Sequence, residues 1–202
     1  MFVAVWTILL LIAGADSVYD RRFALSEGGC PVVNGKQHFK YRRFLGTWYE
    51  YKRFPVAFED GQQCSKHVYE AHGYGVRLTI EGWLRINLFG ESSVVSRETV
   101  VRNATIPKAN RPSELSLSMG LYNLSHADAN FFILDTNYTD WAVVFACHSM
   151  GGYNIQFAWM LTRPRGVPPT NLPQIEKALT EAGINVLEFD LVNQWNCPTF
   201  TN

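Results

Sequence analysis

Between Gly46 and Arg163 the chain is a succession of short runs rich in β-branched and aromatic residues, each ended by turn residues, and this spacing limits the fold more than any other feature. The runs are Thr47–Phe54, Cys64–Ala71, Val76–Ile80, a stretch around Trp83–Phe89, Val94–Thr105, Glu114–Leu121, Phe131–Thr136, Trp141–His148 and Tyr153–Arg163. Pro55, Gly73-Tyr74-Gly75 and Pro107 punctuate them. Alternation is cleanest in Glu114–Leu121, where Leu115, Leu117, Met119 and Leu121 share one face and Ser116 and Ser118 the other. The connections are too short for crossover helices, so consecutive strands are expected to be antiparallel neighbours. About eight such strands can close on themselves, which removes exposed edges and leaves room inside.

One helix follows. Leu172, Ile175, Leu179 and Ala182 repeat at three and four residues and make a single apolar stripe. Thr170 or Asn171 can cap its start, Pro173 fits the first turn, and Gly183 ends it, which predicts a helix over about 171–182. Val186–Val192 then alternates as a final strand. The prediction is an all-β fold: an eight-stranded antiparallel up-and-down β-barrel over about 46–163, braced outside by one C-terminal α-helix and a strand at 186–192.

At the amino end, Val3–Ala15 is apolar but too short to span a bilayer, and Ala13-Gly14-Ala15 offers small residues for cleavage before Asp16. Residues 1–15 are expected to be a signal peptide and 16–202 a single secreted, extracellular domain, with no membrane span. Four cysteines, Cys30, Cys64, Cys147 and Cys197, favour two disulfides in an oxidising compartment, with three pairings open. Asn103-Ala-Thr105, Asn123-Leu-Ser125 and Asn137-Tyr-Thr139 are glycosylation sequons. Lys+Arg and Asp+Glu balance at 18 each, so no basic field draws nucleic acid or anionic membranes. His38, His67, His72, His126 and His148 lack metal-ligand spacing, and no Cys-x-x-Cys, Gly-x-Ser-x-Gly, paired-carboxylate or phosphate-loop signature is present. Neither catalytic residues nor a metal or cofactor is expected.

These pieces resemble the lipocalin family, and within it the apolipoprotein D and Lazarillo-like branch. Phe44-Leu45-Gly46-Thr47-Trp48-Tyr49-Glu50 is similar to the family's G-x-W motif. Thr136-Asn137-Tyr138 stands where its T-D-Y motif belongs, with Asn in place of Asp. Phe157–Arg163 resembles the last barrel strand with its terminal Arg, and Asn196-Cys197-Pro198 resembles that branch's ending. The resemblance spans about Cys30 to Pro198. It implies that Trp48 plugs the closed end of the barrel under Arg163, a cation–π contact of roughly 0.5–2 kcal/mol, and that Gly46 gives the close backbone approach this needs. It also implies the pairings Cys30–Cys147 and Cys64–Cys197. Each closes a loop of more than a hundred residues and contributes roughly 4–5 kcal/mol on the chain-entropy model.

What the resemblance implies about activity is binding, not catalysis. Tyr69 and Trp159 match positions where the branch directs aromatic rings into a cavity, and Leu115, Leu117 and Met119 are lining candidates from spacing alone. The expected partner is a small hydrophobic ligand: a fatty acid, sterol, retinoid, carotenoid or bilin. Burying ~300–400 Å² of it at ~25 cal/mol/Å² is worth about 8–10 kcal/mol before immobilisation costs. The alternative is a pigment-complex or receptor-interacting protein that works through its surface, and an oligomer is compatible with either. A few lipocalins use a free barrel cysteine as a catalyst, but here the implied disulfides leave no thiol.

Overall fold

The computed structural model describes residues 25–88, 91–117 and 129–199, with the side chains of 87–88 and 91–95 excepted. The expected leader, Phe89, Ser118, Met119, Leu121, Asn123 and His126 lie outside that set. The elements in order are β1 (Leu25–Glu27), a short α1 (Tyr41–Phe44), β2 (Gly46–Arg53), a 3₁₀ turn (Ala57–Glu59), β3 (Gln62–His72), β4 (Gly75–Leu88), β5 (Glu91–Thr105), β6 (Glu114–Leu117), β7 (Phe131–Thr136), β8 (Trp141–Met150), β9 (Tyr153–Thr162), α2 (Leu172–Glu181), a second 3₁₀ turn (Val186–Glu188) and β10 (Asp190–Leu191).

Strands β2 to β9 pair antiparallel in sequence order, and β9 also pairs with β2, from Tyr49↔Thr162 to Arg53↔Trp159. That second pairing closes an eight-stranded barrel. Strand β1 extends the outer edge of β9, and β10 adds to the end of β2. Two segments expected as separate runs, Val76–Ile80 and the stretch from Trp83, form one continuous β4. Gly82 interrupts the apolar pattern but not the ladder. A Cβ there would run into the Gln62 side-chain oxygen and come within 2.8 Å of Ser65 Oγ, so the glycine admits a close approach across the sheet.

Two other expectations are corrected. Val186–Val192 is not a strand: the Asn185 side chain accepts from the Leu187 N–H at 3.1 Å and turns the chain into a 3₁₀ segment, leaving only the two-residue β10. Neither Thr170 nor Asn171 caps α2 with its side chain, because the Thr170 hydroxyl donates to Asp140 Oδ2 at 2.7 Å instead. Gly183 does end the helix, at φ +78°, with the Ile184 N–H reaching back to the Leu179 carbonyl at 2.9 Å.

Alternation along the strands divides the apolar residues into two cores. Inward residues such as Trp48, Tyr69, Leu78, Leu115, Leu117, Phe131, Val144, Trp159 and Leu161 form one cluster inside the barrel. Outward residues of β8 and β9, including Val143, Phe145 and Met160, pack beneath Ile175 and Leu179 of α2. Cys30 is bonded to Cys147 and Cys64 to Cys197, which ties the segments flanking the barrel to β8 and β3.

One end of the barrel is sealed by stacked side chains. Trp48 is fully buried, its indole N–H donates to the Phe44 carbonyl at 2.8 Å, and the Phe44 ring stacks on it at 5.3 Å. The Arg163 guanidinium lies 3.7 Å from the Trp48 ring centroid and donates to the carbonyls of Arg43, Phe44, Leu45, Thr47 and Tyr138. Burial lowers its pKa to about 10, which leaves it charged at neutral pH. Gly46, at φ +100°, sits against it: a Cβ would come within 3.3 Å of Arg163 Nη1. Beside this seal, the Asn137 side-chain oxygen accepts from the backbone N–H groups of Thr139, Asp140 and Trp141 at 3.3, 2.9 and 3.0 Å. A carboxylate could accept the same bonds, which accounts for Asn standing where the related motif has Asp.

Two outcomes follow. Arg163→Ala removes the cation–π contact and takes the donor from five carbonyls, most of them partly buried, so it should cost about 2–4 kcal/mol, roughly 2–4 °C of Tm per kcal/mol, with Arg163→Lys intermediate; denaturant unfolding measures it. Asn137→Asp should change stability by no more than about 0.5 kcal/mol, whereas Asn137→Ala should cost about 1–3 kcal/mol in the same assay.

Candidate ligand-binding site

The inward faces of β2, β3 and β9 meet above the Trp48 seal. In β3, Tyr69 faces inward, and so does His67 two residues earlier. In β2, Glu50 shares the face of Trp48. Between Glu50 and Lys52 the β2–β9 register shifts by one residue, and this bulge brings Arg53 opposite Trp159 on the inner side. Glu50, Arg53, His67, Tyr69 and Trp159 are all buried.

The polar groups among them form one network. Arg53 Nη1 donates to Glu50 Oε2 at 2.7 Å and to Ser65 Oγ at 3.1 Å, and Nη2 donates to the carbonyls of Glu59 and Gln62 at 2.6 and 2.8 Å. Glu50 Oε1 lies 2.8 Å from His67 Nε2, and His67 Nδ1 lies 3.2 Å from the Tyr69 hydroxyl. An ionised Glu50 accepts from Nε2–H, which leaves Nδ1 to accept from Tyr69. Glu59 enters this network from the β2–β3 loop. It is buried, and Oε2 accepts from Trp159 Nε1–H at 3.1 Å, while Oε1 finds no donor.

Burial by itself would raise Glu50, but the Arg53 charge and the hydrogen bond from His67 hold it at about 2. Glu59 goes the other way. Burial first, and then the neighbouring Glu50 charge, push its pKa well above the ordinary carboxylate value. The charges therefore balance with Glu50 ionised against Arg53 and Glu59 neutral. A neutral Glu59 carries an O–H, and Glu50 is the carboxylate beside it, with oxygens of the two within 4.8 Å. Burial, followed by the Glu50 charge, also keeps the Tyr69 hydroxyl protonated well above its usual range. Glu50, Glu59 and His67 bring possible metal-ligand atoms within 4.8 Å of one another. Arg53 already supplies the compensating positive charge, however, and a divalent cation would have to sit beside its guanidinium.

The residues expected to line a cavity converge on this region. Trp159 contacts His67 (edge-on, 5.3 Å), Phe131 (6.2 Å) and Phe157 (parallel, 6.2 Å), and Phe157 in turn meets Phe58 of the β2–β3 loop at 6.0 Å. Leu115 is paired with Phe131, and Leu117 is pinned by two hydrogen bonds to the Asn130 side chain. Tyr69, Trp159, Leu115 and Leu117 are only 1, 2, 2 and 5% exposed, so protein atoms cover them on every side. Phe157 and Phe58 are the aromatic members that retain accessible surface. Among the described residues, an apolar cleft of about 290 Å³ lies outside the barrel, between Leu134, Trp141 and Val143 and the α2 residues Ile175 and Leu179.

Sequence reasoning missed Glu50, Arg53, Glu59 and His67. Glu50 and His67 carried a usable signal, since each stands two residues from an aromatic read as inward. The bulge hid Arg53, and Glu59 lies in a loop with no periodicity at all.

The neutral Glu59 sets a pH dependence. A raised carboxyl contributes stability that is fully present below its ordinary value of 4.5 and is lost as pH rises through the elevated folded value. Glu50, being lowered, contributes stability above 4.5 that is lost as pH falls toward 2. Glu59→Gln keeps a donor for Glu50 and an acceptor for Trp159 without titrating. Its Tm should therefore gain on the wild type with rising pH, by about 3–5 °C per unit through the titration, and parallel melting curves would contradict this.

No family model matches the chain. Apolipoprotein D of Oryctolagus cuniculus is 28% identical over 198 residues, covering 96% of this chain and 98% of that one. The Lazarillo protein of Schistocerca americana is 22% identical over 173 residues, covering 82% and 75%. Insecticyanin of Manduca sexta superposes with a TM-score of 0.62 at 16% identity, covering 85% of this chain and 89% of its own. The chain has the lipocalin fold, and through nearly its whole length it is similar in sequence to apolipoprotein D.

Proposed function

We propose that this chain is an extracellular protein that binds and carries, or sequesters, one small hydrophobic molecule inside its barrel. The observation that carries the reading is the aromatic series Phe58, Phe157, Trp159 and Phe131, which runs from a partly exposed rim into an apolar interior whose other end is closed by Trp48 and Arg163. A flat or elongated apolar ligand gains most where such rings are preplaced and water is excluded. Tyr69, Trp159, Leu115 and Leu117 are assigned to the wall, with Met119 continuing their alternation. Because the first four are covered, side chains around them must shift to admit a ligand, and the loop at 55–61, which brings Phe58 and Glu59 against Phe157 and Trp159, is the segment proposed to move.

Secretion is supported by the two long-range disulfides, by the apolar run Val3–Ala15 and by exposed sequon residues Asn103 and Asn137. At Asn137 a glycan would attach at Nδ2 and leave Oδ1 on its three backbone donors. A binding role fits better than catalysis: all four cysteines are in disulfides, so no thiol nucleophile is left.

The test is titration of delipidated protein with N-phenyl-1-naphthylamine, an uncharged probe that fluoresces in apolar surroundings. A micromolar or tighter Kd is expected, and Phe157→Ala, which changes a half-buried rim residue, should weaken it about 5- to 20-fold. No fluorescence rise at about 100 μM protein, together with no apolar compound in organic extracts of the native material, would overturn the carrier role.

A further inference from the structure

The Glu59 side chain occupies a polar niche in the barrel that its own backbone does not need. The Ala57–Glu59 turn is anchored through main-chain groups: the Glu59 N–H donates to the Val56 carbonyl at 3.0 Å, and the Glu59 carbonyl accepts from Arg53. The side chain adds a carboxyl group placed between Trp159 Nε1–H and Glu50. A cleft of about 230 Å³ lies between this loop and residues 190–193, and Glu59 and Arg53 are among its lining residues.

The niche has a defined hydrogen-bonding demand. Trp159 can only donate, and Glu50, tied to Arg53 and His67, can only accept. Whatever stands between them must accept from an indole N–H and donate to a carboxylate. The groups facing it are Glu50 and Arg53 from β2, His67 and Tyr69 from β3, and Trp159 from β9. A hydroxyl meets the demand with one oxygen. An ester or ether accepts but cannot donate, and an ionised carboxylate would set a second negative charge beside Glu50.

We propose that this niche is the head-group subsite for an apolar alcohol, and that the Glu59 side chain is its built-in occupant, leaving when the ligand's hydroxyl takes its place between Trp159 Nε1 and Glu50. The inference rests on the barrel being the ligand site, and adds the chemical class of ligand and the residue that competes with it. Glu59 in place accepts from Trp159 and sets its carboxyl beside Glu50, and the departure of that side chain uncovers Trp159 for the alkyl chain. Binding is a competition between two occupants for one niche.

Hexadecan-1-ol and its methyl ether, 1-methoxyhexadecane, differ at the oxygen alone. Displacement of bound N-phenyl-1-naphthylamine by each, from wild type, Glu59→Ala and Glu59→Gln, reads out the proposal. The alcohol should compete about 10-fold or more better than the ether, as expected for a hydrogen bond to a charged group. Glu59→Ala should tighten the alcohol by about 5- to 20-fold and keep its preference over the ether, because Trp159 and Glu50 remain. Glu59→Gln, whose amide both donates and accepts, should behave as wild type. Equal displacement by alcohol and ether from wild type overturns the proposal whatever the variants do, and so does weaker alcohol binding in a folded Glu59→Ala. If the probe binds but shows no alcohol preference, the head-group assignment fails and the carrier reading stands. If the probe does not bind at all, both fail.

Discussion

Closure of the sheet is the constraint on which the rest of this molecule depends. β9 pairs with β8 on one side and with β2 on the other, so the strands from β2 to β9 leave no free barrel edge. A closed sheet has an inside, and the period-2 alternation of every strand must then send half its side chains into that space. Both apolar cores follow: one inside the barrel, the other between its outer wall and α2. The Trp48–Arg163 seal follows as well, since a closed cylinder has ends, and one of them must be stopped by side chains and capped backbone carbonyls.

Inside this cylinder the packing is not uniformly apolar. Glu50, Arg53, His67 and Glu59 are buried together, an arrangement that is costly unless every charge and donor is matched. It is matched by a division of labour: Arg53 neutralises Glu50 and holds the loop carbonyls, His67 links Glu50 to Tyr69, and Glu59 stays neutral. Such a network sets a fixed pattern of donors and acceptors in an interior that apolar side chains alone would leave without direction. The loop that delivers Glu59 also carries Phe58 at the rim, so the polar lock and the aromatic approach are parts of one segment.

Much of this was legible before any coordinates. The strand runs, the antiparallel order, the helix with its Gly183 stop, and the shared face of Leu115 and Leu117 follow from period-2 and period-3.6 patterns, and the resemblance implied the inward places of Trp48 and Tyr69. The same alternation applied to Glu50 and His67 would have placed both inside, beside Trp48 and Tyr69. An inward position is set by spacing and not by polarity, so their charge is no argument against it. Val186–Val192 misled because alternation over seven residues says nothing of a local side-chain bond, and the Asn185 turn prevailed.

The sequence by itself determined the fold class and the order of strands, because both depend on local spacing and turn chemistry. It also set which face of most strands is buried, because the pleat fixes that for each residue relative to its neighbours. Only the tertiary structure decided where Arg53 points, since one extra residue in a bulge reverses a face and no residue type announces it. It alone decided that Glu59 leaves its loop for the barrel and holds a proton there, since that depends on Trp159, a hundred positions away, and on the charge of Glu50. Burial and the field of neighbouring charges are properties of an enclosed space, and the space exists only once β9 has met β2.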